Sequence, residues 1–247
     1  MSNMYDNTAT WNPFKGCNFN CIYCKPSFQQ QSKRWGKNNC KKCYNYEPHF
    51  HPERLDRIPS ADIIFVCGSG DISFATDEQV DQIIKAIKDH NPRKDKTYYF
   101  QSKNPKTFKR FKDKLPDNCV LITTIETDKD EFQKYSEEND YFLYNYKEHV
   151  SKAPLPRKRL ADFWEIEYPR KVITIEPIMR FSYNFSAEIK VNKPEYVWIG
   201  FNTRPEQVDI PEPSEDQVKR LIKDLMDAGI EVKGKDLRSI NLESMKE

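Results

Sequence analysis

No stretch of the 247-residue sequence approaches the ~18 consecutive apolar residues that a membrane-crossing helix needs. An excess of charge of one sign is missing as well. Forty Lys and Arg face 38 Asp and Glu, a formal charge of +2, which excludes a uniformly basic nucleic-acid coat and an acidic tail but leaves room for a local basic patch. The first residues, Met1 to Asp6, lack the basic-then-apolar pattern of a secretory leader, so a cytoplasmic chain is expected. Repeats, low-complexity tracts and linker-like segments are absent, and one domain over residues 1–247 is the expectation. A disulfide framework fits poorly too. The cysteine count is odd, at seven, and a chain of this length buries enough surface to fold without staples.

What the sequence does have is clustered cysteine. Cys17, Cys21, Cys24, Cys40 and Cys43 fall close together, with Cys67 and Cys119 apart; in a reducing compartment this spacing points to metal ligands or redox thiols. Apolar, β-branched runs alternate with amphipathic stretches. Strands are expected at Ala9–Phe14, Asp62–Cys67, Thr97–Gln101, Val120–Ile125, Tyr141–Tyr144, Val172–Ile175, Tyr196–Gly200 and Ile230–Lys233. Several are continuously apolar, as in strands covered on both faces. Thr76 with Gln79 and Ser214 with Gln217 read as capping boxes opening helices, the second closed by Gly229. Helices are also expected at Pro105–Leu115, Asp130–Glu138 and Leu155–Ile166. The alternation predicts an α/β fold, a barrel or partial barrel of parallel strands, with chemistry at the C-terminal strand ends.

Directly after the first expected strand, Gly16-Cys17-Asn18-Phe19-Asn20-Cys21-Ile22-Tyr23-Cys24 forms a C-x3-C-x2-C run. Three thiolates on one short loop can wrap an inorganic centre, and a four-iron centre with three cysteines keeps one iron open. The run resembles the signature of the radical S-adenosylmethionine (SAM) superfamily, with Tyr23 in its aromatic slot. The resemblance implies a partial (β/α)6-type barrel; residues 25–60, rich in Cys and His, read as an insertion into it after the cluster loop. It also implies that Cys17, Cys21 and Cys24 each bind an iron of a four-iron, four-sulfur cluster. SAM would chelate the fourth iron and be cleaved reductively to a 5′-deoxyadenosyl radical that abstracts hydrogen. A flavodoxin or ferredoxin would supply the electron.

Further residues are candidates, the first group from that resemblance and the rest from their place at strand ends and their chemistry. Gly68-Ser69-Gly70-Asp71, after the second strand, corresponds to the turn that holds the SAM amino group; an ordinary strand-to-helix turn is the other reading. Glu126 and Glu176 end strands and could accept from a ribose or an amine, or form salt bridges. Lys103 could donate to a polar or anionic group. Arg157 and Arg159 could pair with the methionine carboxylate or be solvated helix charges. Cys67 could return a hydrogen atom to a product radical, or be a buried structural thiol.

Trp11-Asn12-Pro13, Gly16-Cys17, His51-Pro52-Glu53-Arg54-Leu55, Lys103-Asn104-Pro105, Ile175-Glu176-Pro177 and Gly200 together resemble a phage-associated branch of the superfamily. A departure from that pattern is Cys40-x2-Cys43, followed by His49 and His51. These four could hold zinc, with an auxiliary iron–sulfur centre or no metal as the other readings. Lysines and aromatics interleave over Lys96–Tyr99 and Lys103–Lys114, a mix that can track phosphates and stack bases. The expected function is therefore a radical SAM enzyme acting on a nucleobase, nucleoside or nucleic acid. The alternatives are a peptide- or metabolite-modifying radical SAM enzyme, and a zinc-stabilised binding module without catalysis.

Overall fold

A computed structural model describes residues 7–90, 95–135 and 141–245. In chain order the strands are β1 (Thr8–Trp11), β2 (Phe14–Lys15), β3 (His49–Phe50), β4 (Ile63–Val66), β5 (Thr97–Gln101), β6 (Cys119–Thr124), β7 (Glu131–Tyr135), β8 (Tyr141–Asn145), β9 (Lys171–Ile175), β10 (Tyr196–Ile199) and β11 (Glu231–Gly234). The α-helices are α1 (Gln30–Gly36), α2 (Lys41–Asn45), α3 (Asp77–His90), α4 (Pro156–Trp164), α5 (Phe185–Val191) and α6 (Glu215–Asp227).

Seven strands form one sheet in the order β1-β4-β5-β6-β9-β10-β11, every pairing parallel. The sheet is curled into a half-barrel. Side chains alternate across it with the two-residue period of a strand. Ile64, Val66, Tyr98, Phe100 and Leu121 join the large core with the inward stripes of the helices: Val80, Ile83, Ile84 and Ile87 of α3, Leu160 and Phe163 of α4, and Val218, Leu221, Ile222 and Leu225 of α6. Phe65, Tyr99, Val120, Ile122, Val172, Tyr196 and Trp198 cluster on the other face. The expected capping boxes form: Thr76 and Gln79 exchange hydrogen bonds, and Ser214 and Gln217 open α6 reciprocally. Gly229 takes φ +76° just past α6.

Two expected elements differ. The segment expected as a helix at Asp130–Glu138 is strand β7, paired antiparallel with β8, as far as its described residues go; residues 136–138 lie outside them. Phe132 sits opposite Tyr144, and both are buried with Tyr146, Val150 and Met179. Cross-strand burial here outweighs a weak helical pattern. The Tyr141–Tyr144 strand accordingly belongs to this hairpin and not to the main sheet. Pro105–Leu115 is built of two 3₁₀ turns, Pro105–Arg110 and Lys112–Lys114. Phe108 and Phe111, three apart, both enter the core, which suits a three-residue period.

Candidate active site

The C-terminal strand ends open into a cavity of about 440 Å³. Its lining includes Gly68 to Asp71 after β4, Gln101 to Lys103 at the end of β5, Thr124 of β6, Thr174 and Glu176 at β9, Phe201 and Asn202 after β10, and Lys235 after β11. Thr124 and Thr174 are hydrogen-bonded at 2.9 Å, and Gln101 donates to both. This makes a polar floor on an otherwise apolar sheet.

Cys17, Cys21 and Cys24 all lie on the wall of that cavity, as does Tyr23. They are packed among Phe19, Phe74 and Ala153. The loop is short because Gly16 turns the chain at φ +84°, and because a 3₁₀ turn, Ile22–Cys24, brings Cys24 back so that its N–H reaches the Cys21 carbonyl at 3.0 Å. Cys21 Sγ lies 3.0 Å from Ser151 Oγ, and Cys17 Sγ accepts from the Phe19 N–H at 3.4 Å. Burial pushes the Cys17 thiol well up, and it raises Cys24 to about 11.

The Gly68–Asp71 turn meets this loop backbone to backbone. Gly16 N–H donates to Ser69 O, and Asp71 N–H donates to Gly16 O, both at 3.2 Å. A Cβ on Gly70 would sit 2.7 Å from Gly16 N and O, so a side chain at that position would force the two loops apart. Asn12 Oδ1 accepts from the Ser69 N–H at 2.8 Å. Asp71 is buried, and its oxygens are already used: Oδ1 accepts from Ser102 Oγ at 2.7 Å and Ser73 N at 3.0 Å, and Oδ2 from Lys103 N at 2.9 Å. It ties the turn after β4 to the end of β5.

Glu126 is fully buried. It accepts from Lys103 Nζ at 2.5 Å, from Arg159 Nη2 at 2.7 Å and from the Tyr23 hydroxyl. Arg159, also fully buried, donates further to Tyr146 Oη at 2.8 Å and to the Thr124 carbonyl. Burial alone would raise the Glu126 carboxyl; the Arg159 guanidinium and the Lys103 ammonium overcome it and hold the group down at about 2. This pair braces the aromatic of the cysteine loop from behind, so Glu126 and Arg159 stand outside the cavity lining while Tyr23 and Lys103 are on it.

The remaining candidates separate. Glu176 is on the cavity wall and accepts from Lys235 Nζ at 2.8 Å. Arg157 points elsewhere, 3.7 Å from Glu188 and 4.0 Å from Asp128, and is outside the cavity lining. Cys67 is turned into the core beside Trp11 and Phe14 rather than toward the cavity, and burial raises its thiol to about 12.

A second group stands apart from the cavity. The ligand atoms of Cys40, Cys43, His49 and His51 all lie within 4.8 Å of one another. Among the described residues this is the one set of three or more such side chains gathered at single-ion spacing.

Several residues escaped sequence reasoning. Tyr46 lies on the cavity wall, its hydroxyl 3.9 Å from Cys24 Sγ and its carbonyl accepting from Cys17 N–H at 3.2 Å. Ser151, Thr124 and Thr174 are similar cases: small polar residues in or beside buried segments, with no spacing to mark them. The Lys96–Lys114 stretch offers no stacking platform. Tyr98, Phe100, Phe108 and Phe111 are in the core, and Lys109, Arg110 and Lys114 pair with Glu165, Asp77 and Asp81.

The sequence matches no protein-family model, and no curated protein matches it. Solved structures do match by shape. Spore photoproduct lyase complexed with a dinucleoside spore photoproduct superposes with a TM-score of 0.54 at 10% identity, covering 92% of this chain and 76% of the lyase chain. SuiB of Streptococcus suis, bound to its precursor peptide SuiA, gives 0.53 at 10% identity, covering 92% of this chain but only 48% of SuiB. A radical SAM methyltransferase from Sphaerobacter thermophilus gives 0.53 at 10% identity over 93% of this chain and 66% of that one. The chain thus spans about half of SuiB and two thirds to three quarters of the others. The fold is the half-barrel that radical SAM enzymes use.

Proposed function

We propose that this chain is a radical SAM enzyme, with Cys17, Cys21 and Cys24 holding a four-iron, four-sulfur cluster and SAM bound between that loop and the Gly68–Asp71 turn. The observation that carries this reading is the placement of three cysteines of one short loop on one wall of a cavity at the C-terminal strand ends. The donor set suits a multi-iron core better than one tetrahedral ion, which weighs against a module in which both cysteine groups hold zinc. When bound, cluster and SAM supply one-electron cleavage of a sulfonium bond and a carbon radical that takes hydrogen from the substrate.

The chain's own residues do the rest. The Gly68–Gly70 backbone lets a ligand approach closely. Asp71 and Glu126 position neighbours rather than touching the ligand: the first fixes Ser102 and Lys103, the second Tyr23. Phe19, Phe65 and Phe201 wall the cavity and keep water from a reactive intermediate. Besides Asp71, the charged groups on the cavity wall that orient SAM and substrate are Lys103, Glu176, Arg204 and Lys235.

The substrate we favour is a nucleobase, nucleoside or nucleic acid. Its support is the sequence resemblance to the phage-associated branch and the Arg204 and Lys235 cations on the cavity wall. A peptide or small metabolite is the alternative with the same chemistry. A flavodoxin- or ferredoxin-type protein is the proposed electron donor.

The test is anaerobic reconstitution with iron and sulfide, followed by SAM and dithionite. The parent should be brown, carry about four irons and form 5′-deoxyadenosine. Cys17→Ala, Cys21→Ala and Cys24→Ala should each abolish both. Undiminished 5′-deoxyadenosine in any one variant would remove that cysteine from the ligand set, and a colourless parent would end the reading. Offering nucleosides, oligonucleotides and peptides in parallel then separates the substrate classes by which one raises 5′-deoxyadenosine yield.

A further inference from the structure

We propose that Cys40, Cys43, His49 and His51 bind one zinc ion, and that the knuckle so closed is a positioning element that sets the cysteine loop against the Gly68–Asp71 turn. The metal site stands on its own residues; only its positioning role rests on the reading of the cavity given above.

The protonation pattern comes first. His49 Nδ1 lies 2.7 Å from the Glu47 carbonyl and His51 Nδ1 lies 2.7 Å from Glu53 Oε1. Both partners accept only, so each ring carries its proton on Nδ1 and presents a bare Nε2 lone pair. Those two lone pairs face the sulfurs: His49 Nε2 is 3.4 Å from Cys40 Sγ and 3.3 Å from Cys43 Sγ, and His51 Nε2 is 3.3 Å from Cys43 Sγ. Protonated thiols could each donate to one imidazole, Cys40 to His49 and Cys43 to His51, but all four donor atoms also lie within 4.8 Å of one another, the mutual convergence that a single ion needs.

Tetrahedral zinc with Zn–S of about 2.3 Å and Zn–N of about 2.05 Å has S···N edges of about 3.6 Å, close to the separations found. Two sulfurs and two imidazoles suit zinc, and four protein ligands leave no open position, the mark of a structural site. The Glu47 carbonyl and the Glu53 carboxylate are the outer partners that such histidines need to fix ring orientation.

The knuckle's place in the chain gives it a second role. None of its four ligands lines the cavity, but the residues between them do its framing. Tyr46, between Cys43 and His49, accepts from Cys17 N–H and sets its hydroxyl against Cys24. The Glu47 carbonyl lies where a Gly16 side chain would be, 2.0 Å from an ideal Cβ. His49 is paired with Lys15 in the β2–β3 ladder, and His51 N–H donates to the Pro13 carbonyl at 2.6 Å. Gly16, held from one side by the knuckle, makes the paired hydrogen bonds to Ser69 and Asp71 on its other side. One metal therefore fixes both loops through a single glycine.

The test compares three anaerobically purified proteins by element analysis: the parent, Cys17→Ala/Cys21→Ala/Cys24→Ala, and Cys40→Ser/Cys43→Ser. One zinc per chain is expected in the first two and none in the third. Cobalt added to the zinc-free triple variant should give tetrahedral d–d bands together with thiolate charge transfer. Zinc missing from the parent even after zinc is supplied, or iron retained in the triple variant, would overturn the site. For the positioning role, reconstituted Cys40→Ser/Cys43→Ser should keep its cluster iron but bind SAM about tenfold or more weaker, and lose the change that SAM makes in the spectrum of the reduced cluster. Cys40→His, which still offers a ligand, should restore both and decides the matter if the double variant does not fold. Parent-like SAM affinity in a zinc-free variant would overturn the positioning role. Failure of the parent to bind SAM would instead sink the cavity assignment and leave the zinc result standing.

Discussion

Glu126 and Arg159 form a fully buried ion pair that also holds Lys103 and Tyr23. The Glu126 carboxyl, at about 2 instead of the usual 4.5, is depressed in the folded state. Its contribution to stability is therefore complete above pH 4.5 and drains away as the pH falls from there toward 2. Urea titrations should show that slope in the parent and a flattened one in Glu126→Gln. The variant should also lose roughly 3–5 kcal/mol at neutral pH, since Arg159 is left buried without its counter-charge. A parent-like midpoint for the variant would show that the Glu126–Arg159 pair is not what braces Tyr23. At this scale the sequence is a poor guide. Glu126 and Arg159 stand out as charges near a strand end and on a helix, yet which of Arg157 and Arg159 faces inward depends on how α4 is rotated against the sheet. Cys67 joins the main core, whereas Cys17, Cys21 and Cys24 line the cavity, a difference of facing that the sequence alone does not show.

At the scale of elements the sequence says more. The seven strands of the sheet were all legible to within a residue or two, except that β1 stops at Trp11, short of the expected Phe14, because Pro13 intervenes and Phe14 pairs with β3 instead. Both capping boxes were legible because their chemistry is local. Ser214→Ala should cost about 1 kcal/mol and lower Tm by roughly 2–4 °C, with cofactor loading untouched; a thermal melt with iron analysis checks both. The hairpin of β7 and β8 was not legible, since Phe132 and Tyr144 become neighbours only by pairing. In the basic-aromatic stretch Tyr98, Phe100, Phe108 and Phe111 go to the core and Lys109, Arg110 and Lys114 to ion pairs, a division that composition does not record.

For the whole molecule, the cavity is where elements distant in sequence converge, so ligand binding there should be felt globally. SAM at a hundredfold excess over its Kd should stabilise the reconstituted chain by about 2.7 kcal/mol, raising Tm by roughly 5–10 °C. The Cys17→Ala/Cys21→Ala/Cys24→Ala variant should show little of this shift, and an equal shift in both would detach SAM binding from the cluster loop.

The order of pairing in the sheet bears on how the chain is made. In the main sheet β4, β5, β6, β9, β10 and β11 each join a partner that has already been synthesised, but β1 must wait for β4, whose first residue follows Trp11 by 52 positions. At ~5–20 residues per second that wait lasts several seconds on the ribosome. His51, the last donor of the proposed zinc site, emerges a dozen residues before Ile63. Metal capture can thus precede the first parallel pairing, and a nascent chain starved of zinc would carry its reactive thiols unprotected through that interval.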